Sequence, residues 1–319
     1  MTVYKGTPYY IGIDVSKATL DIHIRPSGKC ETFANDTEGI VRLIGSIQSL
    51  HPERVVMEAT GGFEKRAADM LTRAGLPAVV VNARQVRGFA VALGRNAKTD
   101  PIDAEVISRF AESIMPELRE PPDPTEKEMA GLTRRRQQLT EQRTAEKNRL
   151  PGTDGRIRES VLRMIGVIDE EIRELEKQIE NLTKSSPVMK RKSEIVQSFP
   201  GIGKTVSGVL LSGIPELGKI DGKQVSALAG LAPFNNDSGT KTGRRHVYGG
   251  RGLVRSKLYM AAVTAIRWNP AIKQFYERLL ERGKAKKAAL VACARKILVI
   301  VNAMVKNDSL WDGNYAKNS

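Results

Sequence analysis

Apolar and polar residues alternate along two runs near the start of the chain, residues 11–14 and 20–25. A period of two residues is typical of strands that bury one face. Ser16 and Lys17 stand between the two runs, where a turn is expected. A third strand is predicted over residues 30–34.

The spacing of apolar residues then changes to the period of a helix. Residues 40–50 follow this spacing after Asn35-Asp36-Thr37, which has the composition of a helix start. Short apolar runs at residues 54–58 and 78–81 predict buried strands. A helix is predicted between them over residues 63–74, and helical segments follow the second run as far as about residue 111. This order predicts an α/β domain with a mixed sheet over residues 1–115.

A proline-rich break, PELREPPDP at residues 116–124, predicts a domain boundary. This break opens a predicted linker, residues 116–189. The linker is charged and carries seven apolar residues at alternating spacings of four and three. They are Val161, Ile165, Ile168, Ile172, Leu175, Ile179 and Leu182. This heptad seam favours a coiled coil, formed either as an antiparallel hairpin within the chain or with a partner. A purely solvated helix is the alternative, and Pro151-Gly152 interrupts the weaker first half.

The third region, residues 190–319, is predicted to be mainly helical, with helices over residues 252–268, 271–280 and 286–305. Near its start, Pro200-Gly201-Ile202-Gly203 lies between two helical patterns and resembles a helix-hairpin-helix turn. In such a turn the backbone of Gly201 and Gly203, with Lys204 on the next helix, can receive a DNA phosphate. An ordinary connector between two helices is the alternative.

The charge of the chain narrows the class of partner. The formal net charge is +15 and the pI is about 9.8, which indicates a polyanion such as nucleic acid, or less often an acidic membrane surface. No run of about 20 uncharged apolar residues is present and the first residues lack a signal-peptide core, so a cytoplasmic location is expected. The two cysteines are far apart in the sequence and the three histidines are scattered, which argues against a metal site built from either residue type. Any metal ion is therefore expected to be held by oxygen ligands.

Four carboxylates are candidates for a metal site. Asp14 ends the first strand, Glu58 ends the strand at residues 54–58, and Asp100 and Asp103 lie one helical turn apart. Each alone has an ordinary explanation, as a turn residue, a surface acid or a helix cap. Together they can converge at one edge of the sheet, where Mg²⁺, or Mn²⁺ in its place, would take their oxygens and assist phosphodiester cleavage.

A hydroxyl and a run of cations follow in residues 228–262. Ser238 lies in a turn-forming sequence, and Lys241, Arg244, Arg245, Arg251, Arg255 and Lys257 come after it. Guanidinium groups match the geometry of phosphates. The pattern predicts a phosphate site with a hydroxyl nucleophile. The alternative is a basic loop in which Ser238 only caps a turn.

These motifs together resemble a known family. IGIDVSK, VVMEATGGFE and KTDPIDAEVI are similar to the DEDD, RuvC-like domain of the insertion-sequence 110 transposases, which include the Piv-type DNA invertases. PGIGKTVSGVLL, GLAP, Ser238-Gly239, Gly249-Gly250 and KLYMAA resemble the C-terminal transposase domain of the same family. The resemblance covers nearly the whole chain.

The resemblance implies an α/β RNase H-like (RuvC-like) domain, an α-helical coiled-coil linker and a mainly α-helical transposase domain with a helix-hairpin-helix-like element. It implies that Asp14, Glu58, Asp100 and Asp103 bind Mg²⁺ and that Ser238 becomes covalently joined to DNA. A structured guide RNA would pair with double-stranded donor and target DNA. Copies would assemble as dimers to tetramers, the acidic site of one completing the serine site of another, in a bacterial or archaeal cytoplasm at the nucleoid.

Two other functions fit the sequence less completely. A RuvC-type metal-dependent endonuclease would use water as the nucleophile, but it gives no reason for a second domain with a basic serine loop. A non-enzymatic protein that bridges nucleic acids would explain the charge and the heptads, but it leaves the four carboxylates unexplained.

Overall fold

The computed structural model describes residues 7–94, 100–118, 124–234, 243 and 246–313. Contacts divide the chain into two compact units, Met1–Pro121 and Pro122–Ser319. The helices of the predicted linker belong to the second of these units. The division into three domains stays a prediction.

The first unit contains one five-stranded mixed sheet in the order β3-β2-β1-β4-β5. The strands are β1 (Tyr10–Val15), β2 (Thr19–Arg25), β3 (Lys29–Ala34), β4 (Arg54–Glu58) and β5 (Ala78–Val81). β2 pairs antiparallel with both β1 and β3, whereas β1 with β4 and β4 with β5 are parallel pairs. The predicted strands and the mixed sheet are confirmed, and this arrangement is consistent with an RNase H-like fold.

Helices cover both faces of the sheet and enclose two cores. α1 (Thr37–Ile47) and α2 (Glu64–Arg73) pack on one face, α3 (Ala83–Ala92) and α4 (Asp100–Ile114) on the other. The predicted start of α1 is confirmed, since the carboxylate of Asp36 accepts a hydrogen bond of 2.8 Å from the Gly39 N–H. The first core includes Ile11, Ile13, Leu43 and Leu71, and the second includes Val56, Val79, Ile107 and Phe110.

α4 lies in direct contact with the middle of the sheet because β1 has a glycine there. A Cβ atom added to Gly12 would lie 2.2 Å from the Ser108 nitrogen and 2.3 Å from the Ala104 oxygen. Any side chain at this position would therefore overlap the backbone of α4, so Gly12 sets the distance between helix and strand.

The direction of α4 follows from its contacts with β2. Nδ1 of His23 lies 2.7 Å from the Ser108 hydroxyl, and Nε of Arg25 donates to the Glu112 carboxylate over 2.8 Å. Residue numbers thus rise together along β2 and α4. Because β2 is antiparallel to β1, α4 also runs antiparallel to β1. The N-terminus of α4 therefore lies at the carboxyl end of β1.

The second unit begins with a helical hairpin. α5 (Pro124–Arg149) and α6 (Gly155–Ser185) are joined through a 3₁₀ turn at Leu150–Gly152. Arg143 pairs with Asp169 at 2.7 Å and Arg136 Nε with Glu176 at 2.8 Å, which makes the two helices antiparallel. The middle of the seam is buried inside the hairpin, where Leu139 packs against Ile168, Ile172 and Leu175. Of the two predicted arrangements, the structure contains the hairpin.

Six further helices among the described residues surround the largest core. They are α7 (Pro187–Ser198), α8 (Lys204–Gly213), α9 (Gly222–Leu228), α10 (Gly252–Trp268), α11 (Pro270–Glu281) and α12 (Lys286–Lys306). α12 is long and apolar enough to cross a membrane by length and composition alone. Its residues Cys293, Ile297, Val301 and Met304 are fully buried in this core, so α12 acts as a core helix of the second unit.

Candidate active site

Two of the predicted carboxylates lie near the carboxyl ends of neighbouring parallel strands, Asp14 as the last residue but one of β1 and Glu58 as the last residue of β4. β1 and β4 pair in parallel as far as Ile13 opposite Met57. Asp14 and Glu58 occupy the next position on each strand. The parallel pairing therefore places both carboxylates at the same edge of the sheet.

Both carboxylates are on the face that α4 covers. Gly12 contacts α4, and Val56 belongs to the core beneath α3 and α4. Side chains alternate along a strand, so Asp14 and Glu58, each two residues further on, share that face. Asp103 lies in the first turn of α4, whose N-terminus is at this edge. We refer to Asp14, Glu58 and Asp103 as the acid edge.

The acid edge offers ligands of the right chemistry for Mg²⁺, since this ion prefers carboxylate oxygens. Within the part of the chain that the structure describes, no three histidine, cysteine, aspartate or glutamate residues are grouped closely enough to hold a metal ion. Helix α4 begins at Asp100, whose side chain lies outside the described residues. The four-carboxylate metal site stays a prediction.

A buried glutamate orders the loop that follows Glu58. The carboxylate of Glu64 accepts hydrogen bonds from the Thr60 N–H at 3.1 Å and the Gly62 N–H at 2.9 Å. Burial raises the pKa of Glu64, but hydrogen bonds from backbone N–H groups outweigh burial and hold that pKa below its ordinary value. The sequence reasoning did not assign this role, although Glu64 is the last residue of the motif VVMEATGGFE.

Asn35 joins the two loops at this end of the sheet. Its Nδ2 donates to the Ser16 carbonyl at 2.8 Å and to the Phe63 carbonyl at 3.3 Å. Ser16 follows β1 directly and Phe63 precedes α2. Asn35 therefore couples the turn after Asp14 to the loop after Glu58.

A fifth carboxylate, which the sequence reasoning missed, lies opposite Asp14. Asp21 on β2 is the register partner of Asp14. Its carboxylate accepts hydrogen bonds from the hydroxyls of Thr19 at 3.2 Å and Thr32 at 2.5 Å. The register of a hairpin that turns at Ser16 and Lys17 would have revealed it.

Ser238 belongs to the segment 235–245, most of which, including Lys241, Arg244 and Arg245, lies outside the described residues. The structure does describe where the chain enters and leaves this segment. The Phe234 N–H donates to the His246 carbonyl at 2.9 Å, and the Arg251 N–H donates to the Leu228 carbonyl at 2.8 Å. We call these two strips, residues 228–234 and 246–251, the loop neck.

The glycine pair of the predicted motif allows the two strips of the loop neck to cross. Gly250 has a positive φ of 63°, and a Cβ atom there would lie 2.3 Å from the Gly230 nitrogen and 2.6 Å from the Leu228 oxygen. Only glycine fits this position without displacing backbone. The crossing brings the ends of the serine segment together.

Two predicted phosphate ligands contact protein groups at the loop neck. Arg251 donates through both terminal nitrogens to the carboxylate of Glu216, at 2.6 and 2.7 Å. Arg255 donates to the Gly249 carbonyl. Both guanidinium groups therefore stabilise the end of the serine segment, and a role for them in nucleic-acid binding stays a prediction.

Lys257, a further predicted ligand, is half-buried on α10. Burial lowers the pKa of its ammonium group, the nearby charge of Arg136 lowers that pKa further, and Glu141 partly offsets the effect. A lysine ammonium held in this way loses less hydration on meeting a phosphate than an exposed one. Its contact with nucleic acid stays a prediction.

The predicted helix-hairpin-helix-like element consists of α7, a short turn and α8. Gly201 in the turn has a φ of 111°, and a Cβ there would lie 2.8 Å from Cβ of Ala265 on α10. Gly203 precedes α8, and Lys204 pairs with Glu180 at 3.3 Å. Close packing on α10 is thus a sufficient reason for Gly201, and phosphate binding by Gly201, Gly203 and Lys204 stays a prediction.

Comparisons with known proteins find two family models that match separate stretches of the chain. Residues 11–153 match a transposase family model of the DEDD group of IS110. Residues 193–277 match the model described as the transposase IS116/IS110/IS902 family. The first match contains all four predicted carboxylates, and the second contains Ser238 and the loop neck.

Similar proteins include the pilin gene-inverting proteins of Moraxella bovis and Moraxella lacunata. Each is 28% identical to this chain over 313 residues, which cover 95% of this chain and 97% of the relative. The insertion element IS110 43.6 kDa protein of Streptomyces coelicolor is 27% identical over 155 residues, 48% of this chain and 37% of that protein. This chain belongs to the IS110 family of transposases.

Proposed function

We propose that this chain is an RNA-guided DNA transposase and recombinase that cuts and rejoins strands through a covalent ester on Ser238. The observation that carries the proposal is the acid edge. Asp14 and Glu58 lie at the carboxyl ends of adjacent parallel strands, on the face that α4 covers, and α4 runs in the direction that brings Asp103 to the same edge. The family resemblance and the basic sequence around Ser238 support the second half of the reaction.

Asp14, Glu58, Asp100 and Asp103 would hold Mg²⁺, or Mn²⁺ in its place. When bound, the ion would stabilise charge on the attacking and leaving oxygens of a phosphodiester. Ionised carboxylates repel one another in the absence of a cation, so a site with four of them is expected to close only when one binds.

The chain supplies the nucleophile itself. The bond between Oγ of Ser238 and phosphorus forms as the bond from phosphorus to a sugar oxygen breaks. The serine hydroxyl gives its proton to solvent, and the departing sugar oxygen takes one up. The resulting ester retains the energy of the phosphodiester, so rejoining to another strand needs no ATP.

The family resemblance supports three further parts of the proposal. A structured guide RNA pairs with double-stranded donor and target DNA. The position of Lys241, Arg244 and Arg245 after Ser238 in the sequence, and not the resemblance, supports a role for them in binding phosphates. The acid edge of one copy acts with the serine segment of another in a dimer or tetramer. The reaction takes place in the cytoplasm at the nucleoid, and the net charge of +15 accounts for attraction to nucleic acid.

The experiment is denaturing electrophoresis of the full chain with its DNA and guide RNA. The wild type is expected to yield a protein–DNA adduct with Mg²⁺ and none with excess chelator. Ser238→Ala should abolish the adduct, whereas Thr240→Ala, a hydroxyl removed from the same segment, should retain it. An adduct from Ser238→Ala would show that another residue is the nucleophile.

The acid edge alone also fits a second candidate, a RuvC-type structure-selective endonuclease. In that reaction water attacks, so the products carry free phosphate and hydroxyl ends and no adduct forms. The same gels separate the two reactions. If Asp100→Asn combined with Asp103→Asn leaves every DNA transaction intact, both enzymatic functions are wrong and the chain only bridges nucleic acids.

A further inference from the structure

We propose that Phe234 and Tyr248 form a stacking platform for an unpaired base of the DNA strand that Ser238 attacks. The inference rests on the proposed function and adds a base-binding site to it. The two ring centroids are 4.3 Å apart and the ring planes are inclined by 31°. The rings therefore meet at a tilt, face towards face and not edge to face, so a flat base placed on the outer face of Phe234 extends the stack. We call this pair the ring platform.

The ring platform differs from the other aromatic pairs among the described residues. Its rings are 47% and 52% exposed, so neither of them is part of a core. Phe89 with Phe110 and Phe199 with Trp311 meet edge to face, at 89° and 65°, and each pair has a buried member. The tilted contact of the ring platform instead leaves the outer face of the half-exposed Phe234 ring accessible to a flat ligand.

The ring platform lies on the loop neck, one ring on each strip. The bridge between Phe234 and His246 holds the strips together beside the rings. Ser238 follows Phe234 by four residues in the sequence, and four residues span at most about 14 Å. The cations of the same segment, Lys241, Arg244 and Arg245, have the chemistry to hold phosphates of the same strand.

An unpaired base is the ligand that strand exchange creates. A strand can be joined to a new partner only after bases beside the cut leave their old partners. Aromatic side chains bind such bases because every base has a flat π face. Stacking of this kind tolerates any sequence, which suits a recombinase whose target is chosen by pairing with RNA and not by protein contacts.

A structural role is the competing explanation, since the ring contact could simply keep the loop neck closed. Leucine in place of either aromatic residue keeps apolar bulk at the loop neck but removes the π face. Tyr248→Phe keeps the ring and removes only the hydroxyl. Trp268→Leu removes an aromatic side chain that is 72% exposed elsewhere in the same unit and serves as a matched control.

The first test uses the full chain with guide RNA and DNA that carries 5-iodouracil at the positions flanking the cleaved phosphate. Long-wavelength ultraviolet light couples an iodinated base to an aromatic side chain stacked on it. Peptide mapping should locate the crosslink at Phe234 or Tyr248. Crosslinks only to other residues would overturn the proposal, and so would coupling of these two residues to 5-iodouridine in the RNA instead of the DNA.

The second test compares binding to intact DNA with binding to DNA that has an abasic site at the crosslinked position. The wild type should lose roughly 5- to 140-fold in affinity on the abasic DNA, the loss expected for one stacked base. Phe234→Leu and Tyr248→Leu should bind intact DNA more weakly by a similar factor and should not distinguish the two DNAs. Tyr248→Phe and Trp268→Leu should behave like the wild type.

If the leucine variants weaken binding to both DNAs equally, the rings only close the loop neck and the proposal is wrong. The adduct assay separates this failure from failure of the proposed function. If the wild type forms the Ser238 adduct but Phe234 and Tyr248 do not couple to the iodinated base, the proposed function stands and the ring platform is wrong. If the wild type forms no adduct, both the proposed function and the ring platform are wrong.

Discussion

The acid edge and the loop neck hold their reactive groups in different ways. At the acid edge, strand pairing positions Asp14 and Glu58, and the packing of α4 on the sheet positions Asp103. Hydrogen bonds from Asn35 and to Glu64 order the loops that follow the two strands. At the loop neck, the described contacts join the two ends of an eleven-residue segment, 235–245. Carboxylates that share a metal ion must be held in fixed positions relative to one another. A nucleophile on a loop that must reach a phosphate needs only the two ends of its loop held together.

Both regions nevertheless depend on a glycine at a point where two backbones come into close contact. At the acid edge Gly12 lets α4 contact β1, and at the loop neck Gly250 lets the two strips cross. Substitution at each position therefore tests whether the backbone contact positions the reactive groups. We expect the effects to decrease from the acid edge to the loop neck to the loop after Glu58.

The largest effect is expected from Gly12→Ala. The added methyl group would meet backbone atoms of α4 at 2.2 and 2.3 Å, and backbone cannot rotate out of the way. Overpacking typically costs about 1–3 kcal/mol, and we expect a loss at or above the top of that range in the free energy of unfolding, because both contacts are with backbone. Thermal unfolding measures it, and the adduct should be lost as α4 moves away from β1.

Gly45→Ala is the matched control, because a Cβ at this helical position meets nothing within 4 Å. It should raise the free energy of unfolding slightly, since alanine favours a helix by up to about 1 kcal/mol over glycine. If Gly12→Ala is as stable as Gly45→Ala, the close packing of α4 on β1 is wrong.

A smaller loss of stability, but a clear loss of reaction, is expected from Gly250→Ala. The positive φ costs a non-glycine residue about 1–2 kcal/mol, and the methyl group would also overlap Gly230. The adduct yield should fall about tenfold or more, as expected when a reacting group is displaced by about 1 Å. Circular dichroism should show the helical content of the wild type.

Gly252→Ala, two residues further on at the start of α10, has open space around the new methyl group and should keep the wild-type adduct yield. If Gly250→Ala also keeps that yield, the crossing at the loop neck does not position Ser238.

The smallest effect is expected from Glu64→Gln, with a distinct dependence on pH. Loss of charge-assisted hydrogen bonds to backbone N–H groups should lower the free energy of unfolding by about 1–2 kcal/mol at pH 7. The pKa of Glu64 in the folded state lies below its ordinary value of 4.5, so its contribution is present above pH 4.5. That contribution is lost as the pH falls below 4.5 towards the lowered pKa.

Urea unfolding at several pH values between 7 and 3.5 measures the contribution of Glu64. The difference between the wild type and Glu64→Gln should shrink as the pH falls. Glu53→Gln, which changes an exposed glutamate in the same unit, should show no difference from the wild type at any pH. A constant difference for Glu64→Gln would show that its hydrogen bonds do not depend on ionisation.

The acid edge could largely be predicted from the sequence because local patterns determine it. Alternation and short apolar runs predicted the strands, and the order of strands and helices predicted a mixed sheet, at one edge of which Asp14 and Glu58 can converge. The local pattern did not show which groups each side chain contacts. Asp21 and Glu64 were missed because their roles depend on the register of a hairpin and on a loop folding back on itself.

The second unit was less predictable because its decisive contacts join residues that are distant in the sequence. A heptad seam shows that Ile168 and Ile172 need an apolar partner, but it does not show whether that partner is α5 or another chain. The ring platform depends on the crossing of Gly230 and Gly250, which no periodicity reveals. The end of α12 was predicted to within one residue because its pattern is long and regular.

The orientation of α4 has an electrostatic consequence for the chemistry. The aligned peptide dipoles of a helix place a partial positive charge of about half an elementary unit at its amino end. In this chain that end of a 15-residue helix is beside Asp14 and Glu58. Its field favours each nearby carboxylate anion by about 0.3–1 kcal/mol and also attracts an incoming phosphate. The peptide backbone thus offsets part of the repulsion between the carboxylates of the acid edge and the phosphates of the substrate.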